Sequence, residues 1–382
     1  MTSPGRDDAR HLALALALAR RGHPFTSPNP LVGAVVVKDG RVVGTGFHAR
    51  AGAPHAECPA LREAADAARG ATLYVNLEPC CHQGRTPPCT RAIIAAGIAR
   101  VVACHEDPNP LVNGQGFAEL RAARIEVVAG GLAREAARLN AVYLRAVRTR
   151  RPFGVLKTAQ TLDGRSATPS GESKWITSPW SRALARSLRG EHDATAVGIG
   201  TVISDDPRLL PGAAAAGEAP RHVRVVFDSK LSLPEGSAIV SGAASTPVLA
   251  IATDAAEAKA ERALAARGVE VLRVGAGADG RVDLGRAAAE LFDRGIQSVF
   301  YEGGGTLAAA LLKAGLIDRL LVFAAPALLG GRDGTPAVGG PAAERIDALL
   351  RLPPPVARRV GTDVLIEIDV FGVEALLEGG AS

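Results

Sequence analysis

Aromatic side chains are scarce in this chain: Phe, Trp and Tyr together make up 4% of its 382 residues, with two tryptophans. A groove for single-stranded nucleic acid stacks bases on aromatic rings set among cations, and that supply is missing. No apolar run reaches the length of a membrane-spanning helix. Residues Met1 to Arg10 mix acids with bases and lack the apolar core of a secretion signal. Cysteine is confined to Cys58, Cys80, Cys81, Cys89 and Cys104, an odd count held in the first third of the chain. That distribution argues against a disulfide framework and for a local metal or thiol site in a cytoplasmic protein.

Apolar residues make up 47%, so the core must be built chiefly from Ala, Val, Leu and Ile. The net charge is +5, from 44 Lys and Arg against 39 Asp and Glu. The arginines are scattered, which favours small anionic ligands over nucleic acid or a membrane surface. The length predicts two domains. Strand-like Leu31–Val37 and Arg41–Phe47 flank the turn Lys38-Asp39-Gly40, a hairpin signal. Alternating helices and strands follow to about Val128, the pattern of a sheet covered by helices. The cationic stretch Arg145–Pro152 reads as a break between domains. Beyond it, strand-like Phe153–Lys157 opens a second α/β series that runs to Arg319–Ala324. Ala213–Ala216 and Glu378–Ser382 read as surface loop and frayed tail.

The first chemistry-bearing motif is His55-Ala56-Glu57 at a helix start. About two dozen residues later comes Glu78-Pro79-Cys80-Cys81-His82-Gln83-Gly84-Arg85-Thr86-Pro87-Pro88-Cys89. Zinc deaminases of nucleobases carry H-x-E and then P-C-x-x-C, where one His and two Cys hold the metal and the Glu moves protons without ligating. Here eight residues, rather than two, lie between Cys80 and Cys89. Three protein ligands leave a fourth position for water, which separates a catalytic zinc from a closed structural one. Zinc brings that water's pKa toward neutrality, and Glu57, two residues from His55, is close enough to take its proton. A structural zinc closed by His82 would leave Glu57 without a task. Cys58 and Cys81 read as small buried neighbours.

The run Thr26-Ser27-Pro28-Asn29-Pro30-Leu31-Val32-Gly33, the His-Ala-Glu, the full Cys loop and Asp107-Pro108-Asn109-Pro110 together resemble the bifunctional deaminase–reductase of riboflavin biosynthesis. That resemblance implies His55, Cys80 and Cys89 as zinc ligands and Glu57 as the proton shuttle. Cys81 makes the choice of thiolate ambiguous, and Cys80 is preferred because it follows Pro79. Asn29 either reads the pyrimidine edge or serves as a rigid turn.

The second half carries Lys157 through Arg165 (KTAQTLDGR), Gly171 through Thr177 (GESKWIT), Thr201-Val202-Ile203-Ser204-Asp205-Asp206-Pro207 and Phe227-Asp228-Ser229. Strand-like Ser298–Tyr301 then leads into Glu302-Gly303-Gly304-Gly305-Thr306 and a helix, an order in which backbone N–H groups face a phosphate. It is not the G-x-G-x-x-G fingerprint of a plain Rossmann fold. These segments resemble the reductase domain of the same family. The implied architecture is a cytidine-deaminase-like three-layer α/β/α domain (1–147), then a dihydrofolate-reductase-like α/β domain (152–373) that uses NADPH. Carried over residue by residue, Ala159, Trp175, Thr201, Asp205, Ser229 and Gly304, Gly305, Thr306, Leu307, Ala308, Ala309 and Ala310 meet the cofactor. Ser173, Arg189, Leu209 and Glu302 meet the substrate. Trp175 could instead be a core aromatic.

The implied reactions are deamination of 2,5-diamino-6-(5-phosphoribosylamino)pyrimidin-4-one and then reduction of the ribosyl group to ribityl. The resemblance also implies a homo-oligomer, dimer or tetramer. Lys157 or Asp163 could serve as the reductase acid. One position departs from the family: an Arg that clamps the substrate phosphate commonly follows the Asp-Asp-Pro-x-Leu motif, and Gly212 stands there. Arg189 is then expected as principal clamp with Arg208 assisting, and Arg221 or Arg224 as alternatives. If nothing substitutes, the deaminase alone is active and the reductase half is degenerate. A different nucleobase or nucleic-acid deaminase is the remaining alternative for the first half.

Overall fold

The computed structural model describes residues 5–84, 86–212 and 222–377. Arg85, Arg221, the Ala213–Ala216 loop and the Glu378–Ser382 tail therefore lie outside the described residues. The chain divides into two compact units, one running through Arg150 and resuming at Gly372, the other spanning Arg151–Phe371. Among the described residues, no helix is long and apolar enough to cross a membrane.

The first unit is a sheet of β1 (Gly33–Lys38), β2 (Arg41–Phe47), β3 (Thr72–Val75), β4 (Arg100–Ala103) and β5 (Glu126–Ala129), in the order β2-β1-β3-β4-β5. β1 pairs antiparallel with β2 and β3, while β3, β4 and β5 run parallel. Side chains alternate across the pleat. Ala34, Val36, Leu73 and Val101 join a core under helices Glu57–Ala64 and Gln115–Ala122. Val35, Val37, Tyr74 and Val102 join another under helix Arg6–Ala19. That is three layers. The cationic stretch expected to break the chain is helical through Thr149, within Ala141–Thr149. The turn comes at Arg150, in the left-handed region at φ 52.

The second unit adds β6 (Phe153–Thr161), β7 (Arg165–Ala167), β8 (Ala194–Gly198), β9 (Val223–Phe227), β10 (Val248–Ala252) and β11 (Val269–Arg273). β12 (Ser298–Tyr301), β13 (Arg319–Ala325), β14 (Thr335–Pro336), β15 (Val356–Val360) and β16 (Asp363–Asp369) complete it. Its main sheet has the order β11-β10-β9-β8-β12-β6-β13-β16-β15, with β7 and β14 paired separately. β11 through β13 in that order are parallel, and the β15–β16 hairpin adds an antiparallel edge. Both faces of the parallel portion are packed, one around Val225, Ile251 and Val299, the other around Val197, Val226 and Ala250. Such sheets bind ligands at the carboxyl ends of their strands.

Candidate active sites

Close packing carries the first motif to its place. A Cβ on Gly46 of β2 would sit 2.2 Å from the Ala56 carbonyl oxygen, so only glycine lets the His55–Glu57 turn lie on the strand. Opposite it, a Cβ on Gly116 would meet the Pro79 carbonyl oxygen at 2.1 Å. Glu78, beside that proline, accepts from the N–H groups of Asp107 and Gly114 through Oε2 and of Phe117 through Oε1. The Glu-Pro-Cys run is thereby tied to the Asp107–Asn109 turn. Tyr143 donates to Asp107, whose pKa burial pushes up to about 6.

Among the described residues, one group of metal-ligating side chains converges: His55, Cys80 and Cys89, with ligand atoms within 4.8 Å of one another. His55 Nδ1 lies 3.4 Å from Cys80 Sγ and 3.3 Å from Cys89 Sγ, while its Nε2 meets Thr86 Oγ1 at 3.3 Å. One ring nitrogen therefore faces the thiols, and the other is held by a hydroxyl that orients the ring. The Cys89 N–H, at the start of helix Cys89–Ala95, donates to Cys80 Sγ. Hydrogen bonding from Cys89, and then from His55, outweighs burial and lowers the Cys80 thiol to about 4. Hydrogen bonding from Cys58 and Cys80 pushes the Cys89 thiol up. Two thiols, which lose their protons on binding a metal, and an imidazole suit a soft cation. The donor set fits zinc.

Glu57 is buried, and its Oε2 has no hydrogen-bond partner. Burial, reinforced by Cys80, raises its pKa. An unpaired buried carboxyl is costly unless a ligand or water completes it. Cys81 turns its Sγ to the Leu111 carbonyl, and neither it nor His82 belongs to the converging group. Both Cys81 and Cys58, expected to be buried, are half-buried. Asn29 is more than a turn residue: its Nδ2 meets His48 Nε2 at 3.0 Å, and His48 Nδ1 meets the Pro54 carbonyl at 3.1 Å. If Nδ1–H donates to that carbonyl, Nε2 accepts from Asn29, which fixes the amide's orientation. His48 belongs to none of the sequence motifs; its place just after β2, against the Pro-Asn-Pro turn, is the signal the sequence offers for it.

In the second unit a cavity of about 1280 Å³ opens at the carboxyl ends of β6, β8, β9 and β12. Of the sequence-predicted cofactor and substrate residues, all line it except Arg208, Ala308 and Ala309. Helix Gly305–Lys313 starts there with Gly304 as N-cap and no side-chain cap, leaving its first N–H groups free for an anion. A Cβ on Gly305 would strike the Pro336 carbonyl oxygen at 2.6 Å. The volume, the uncapped turn and the glycine cradle fit a dinucleotide. Trp175 is 70% exposed, which rules out the core-aromatic alternative, and the Arg182 guanidinium lies 4.4 Å above its ring. Ser173 Oγ donates to Asp205 at 3.2 Å, linking the two predicted binding sets.

Glu302 is clasped by Arg189, through Nε to Oε1 and Nη2 to Oε2, and Lys157 Nζ lies 3.7 Å away. Burial opposes its ionisation, but Lys157 and Arg189 outweigh it and hold its pKa low. Arg189 Nη1 donates to the Leu210 carbonyl. The expected principal clamp is thus already committed to a carboxylate. Arg224 cannot swing in: it is fully buried and donates to the carbonyls of Arg208 and Thr246. Asp163 accepts from the N–H groups of Leu329 and Gly330 and does not line the cavity, so it holds a loop.

Residues 152–366 match the family model for the RibD C-terminal domain, and residues 6–105 match that for the cytidine and deoxycytidylate deaminase zinc-binding region. The chain is 43% identical to riboflavin biosynthesis protein RibD of Aquifex aeolicus over 359 residues, covering 94% of this chain and 97% of that one. RibD of Escherichia coli K12 is 42% identical over 371 residues, with 94% and 99% covered. The solved structure of Acinetobacter baumannii RibD, form 1, superposes with TM-score 0.85 at 36% identity, covering 96% of this chain and 99% of that one. A Thermotoga maritima diaminohydroxyphosphoribosylaminopyrimidine deaminase/5-amino-6-(5-phosphoribosylamino)uracil reductase gives TM-score 0.81 at 33% identity, with 96% and 99% covered. The first unit therefore has a cytidine-deaminase-like fold, and the second that of the RibD reductase domain.

Proposed function

This chain belongs to the RibD family of riboflavin-biosynthesis proteins, and from that premise we propose which of its residues carry the two reactions. It is a bifunctional enzyme, a zinc deaminase followed by an NADPH-dependent reductase. We assign the deaminase to residues 1–147 and the reductase to 152–373.

In the first unit His55, Cys80 and Cys89 would hold the metal. When bound, zinc acidifies a coordinated water and NADPH supplies hydride. Glu57 would take one proton from that water and give it to a ring nitrogen of 2,5-diamino-6-(5-phosphoribosylamino)pyrimidin-4-one, then carry a second proton from the added hydroxyl to the departing amine. Its buried Oε2, which has no hydrogen-bond partner, is suited to that task. His48 sets the Asn29 amide toward the pyrimidine edge. In the second unit Gly304 through Ala310, with Ala159, Trp175, Thr201, Asp205 and Ser229, seat the nucleotide. Ser173, Arg189, Leu209 and Glu302 orient the ribosyl group whose C1′ is reduced, and Lys157, beside Glu302, is assigned as the proton donor.

The observation that carries this reading is the convergence of His55, Cys80 and Cys89 beside the buried Glu57. Two separate assays test it, ammonia release from the diaminopyrimidinone and NADPH oxidation with the deaminated product. Both should proceed with the purified chain, and loss of either removes that half of the assignment. The same reading carries a cytoplasmic location, small phosphorylated pyrimidines as the partners rather than nucleic acid or membrane, and a dimer or tetramer.

A further inference from the structure

The reductase cavity is lined by more cations than its carboxylates can neutralise, and they differ in what they already hold. Arg189 and Lys157 share Glu302. Lys174 donates to the Asp205 carbonyl, and Arg182 both covers Trp175 and donates to the Thr177 carbonyl. Arg281 pairs with Asp279 at 4.0 Å. Arg186 and Lys230 also line the cavity, and both are exposed. Among the described residues, neither side chain has a hydrogen bond or an ion pair.

Their positions separate them. Arg186 lies on helix Pro179–Arg189, one turn before Arg189, whose partner Glu302 follows β12. Segment Leu209–Gly212 packs on that last turn: the Gly212 N–H donates to the Arg186 carbonyl at 2.8 Å, and a Cβ there would lie 3.2 Å from it. No side chain at 212 intervenes, so Arg186 is the unspent guanidinium on the substrate side. Lys230 instead follows Ser229 at the end of β9. β8 lies between β9 and β12, which sets the two strand ends about 10 Å apart. The β9 rim is braced. Asp228 accepts from the Leu233 N–H and Ser232 Oγ, and Ser229 Oγ accepts from the Val282 N–H, fixing the Ala276–Val282 turn against it.

Reduction brings two phosphate monoesters into one cavity, the substrate's and the one on the cofactor's adenosine ribose. Each carries close to two negative charges at neutral pH. We propose that Arg186 and Lys230 divide them, Arg186 holding the substrate's phosphate and Lys230 the cofactor's. The assignment rests on the reductase reading above. It makes Lys230 the residue that separates NADP from NAD, and Arg186 the residue that selects phosphorylated over dephosphorylated substrate.

The test crosses two variants with two ligand pairs. Calorimetry measures NADP⁺ and NAD⁺ binding to wild type, Lys230→Ala and Arg186→Ala, and steady-state kinetics measures KM for the deaminated substrate with and without its phosphate. Lys230→Ala should weaken NADP⁺ about tenfold and leave NAD⁺ unchanged. Arg186→Ala should raise KM about tenfold for the phosphorylated substrate only, with NADP⁺ binding unchanged. Lys230→Arg and Arg186→Lys should restore most of each loss. Equal weakening of both members of a pair, or no change in either, overturns the division. A wild type that binds NADP⁺ but never oxidises NADPH with authentic substrate overturns the reductase reading itself.

Discussion

The two units each bury a glutamate at the functional centre and treat it in opposite ways. Glu57 is 3% exposed, has an unpaired oxygen and is pushed toward its neutral form by burial. Glu302, with its side chain 9% exposed, is held ionised by Arg189 and Lys157. A carboxyl that must take up and release a proton within one turnover cannot be locked in an ion pair. A carboxylate that fixes two cations in a cavity must stay charged. The same side chain is made a shuttle in one unit and an anchor in the other by its neighbours alone.

The largest expected effect breaks the shuttle. Glu57→Gln keeps the shape and removes the titrating proton, so ammonia release should fall by about a hundred- to ten-thousandfold. Zinc content and the reduction of separately supplied deaminated substrate should be unchanged. Near-wild-type ammonia release would place the shuttle elsewhere. Next come the ligands. Purified protein should carry about one zinc per chain. Cys80→Ser and Cys89→Ser should lose most of it, and deamination with it, while Cys81→Ser keeps it. Metal analysis showing zinc retained in both of the first two variants would bring Cys81 or His82 into the ligand set.

The anchor should fail more gently. Arg189→Ala leaves Glu302 with Lys157 alone, and losing a charge-assisted pair costs about 1.5–3 kcal/mol. We expect the reductase KM to rise about tenfold or more, with deamination intact. Because part of that cost is an uncompensated carboxylate, the double variant Arg189→Ala/Glu302→Gln should recover stability relative to Arg189→Ala. Thermal unfolding of the four proteins in the cycle measures the coupling, and strict additivity would show that the two side chains do not act as a pair.

The contrast also explains what could be read from the chain. Metal ligands must be particular residues near one another, so His55, Cys80 and Cys89 stood out despite a spacing of nine positions between the cysteines. The nucleotide cavity uses backbone N–H groups and shape, which many sequences supply, so the glycine turn alone was weak and needed the family resemblance. Parallel strands such as Val223–Phe227 and Val248–Ala252 were evident as short apolar runs. The edge hairpin Val356–Val360 and Asp363–Asp369 was not, because its first strand is largely exposed and carries Arg358 and Arg359. Helix Ala141–Thr149 hid in the same way, its last turn reading as a basic linker because its buried face is supplied by Tyr143, Leu144 and Ala146. Which cations were already committed could not be read at all: Arg189 meets Glu302 across 113 positions of sequence.

The smallest effect is a pH dependence, and its sign separates the anchor from the shuttle. The folded pKa of Glu302 lies below its ordinary value because Lys157 and Arg189 outweigh burial. A group depressed in the folded state stabilises above its unfolded pKa, and that stability is lost as pH falls through the folded value. Near neutrality Glu302→Gln should therefore be less stable than wild type, since it leaves Arg189 and Lys157 without their counter-charge. On acidification below about pH 4.5 the wild type loses its own carboxylate, and the two proteins should converge. Denaturant unfolding at a series of pH values, followed by the fluorescence of Trp175 and Trp180 in the second unit, measures the gap. A gap that stays constant through the acid range would mean that Glu302 is not held ionised by its cations. A gap that widens on acidification would mean that burial wins, and the second glutamate would then resemble the first.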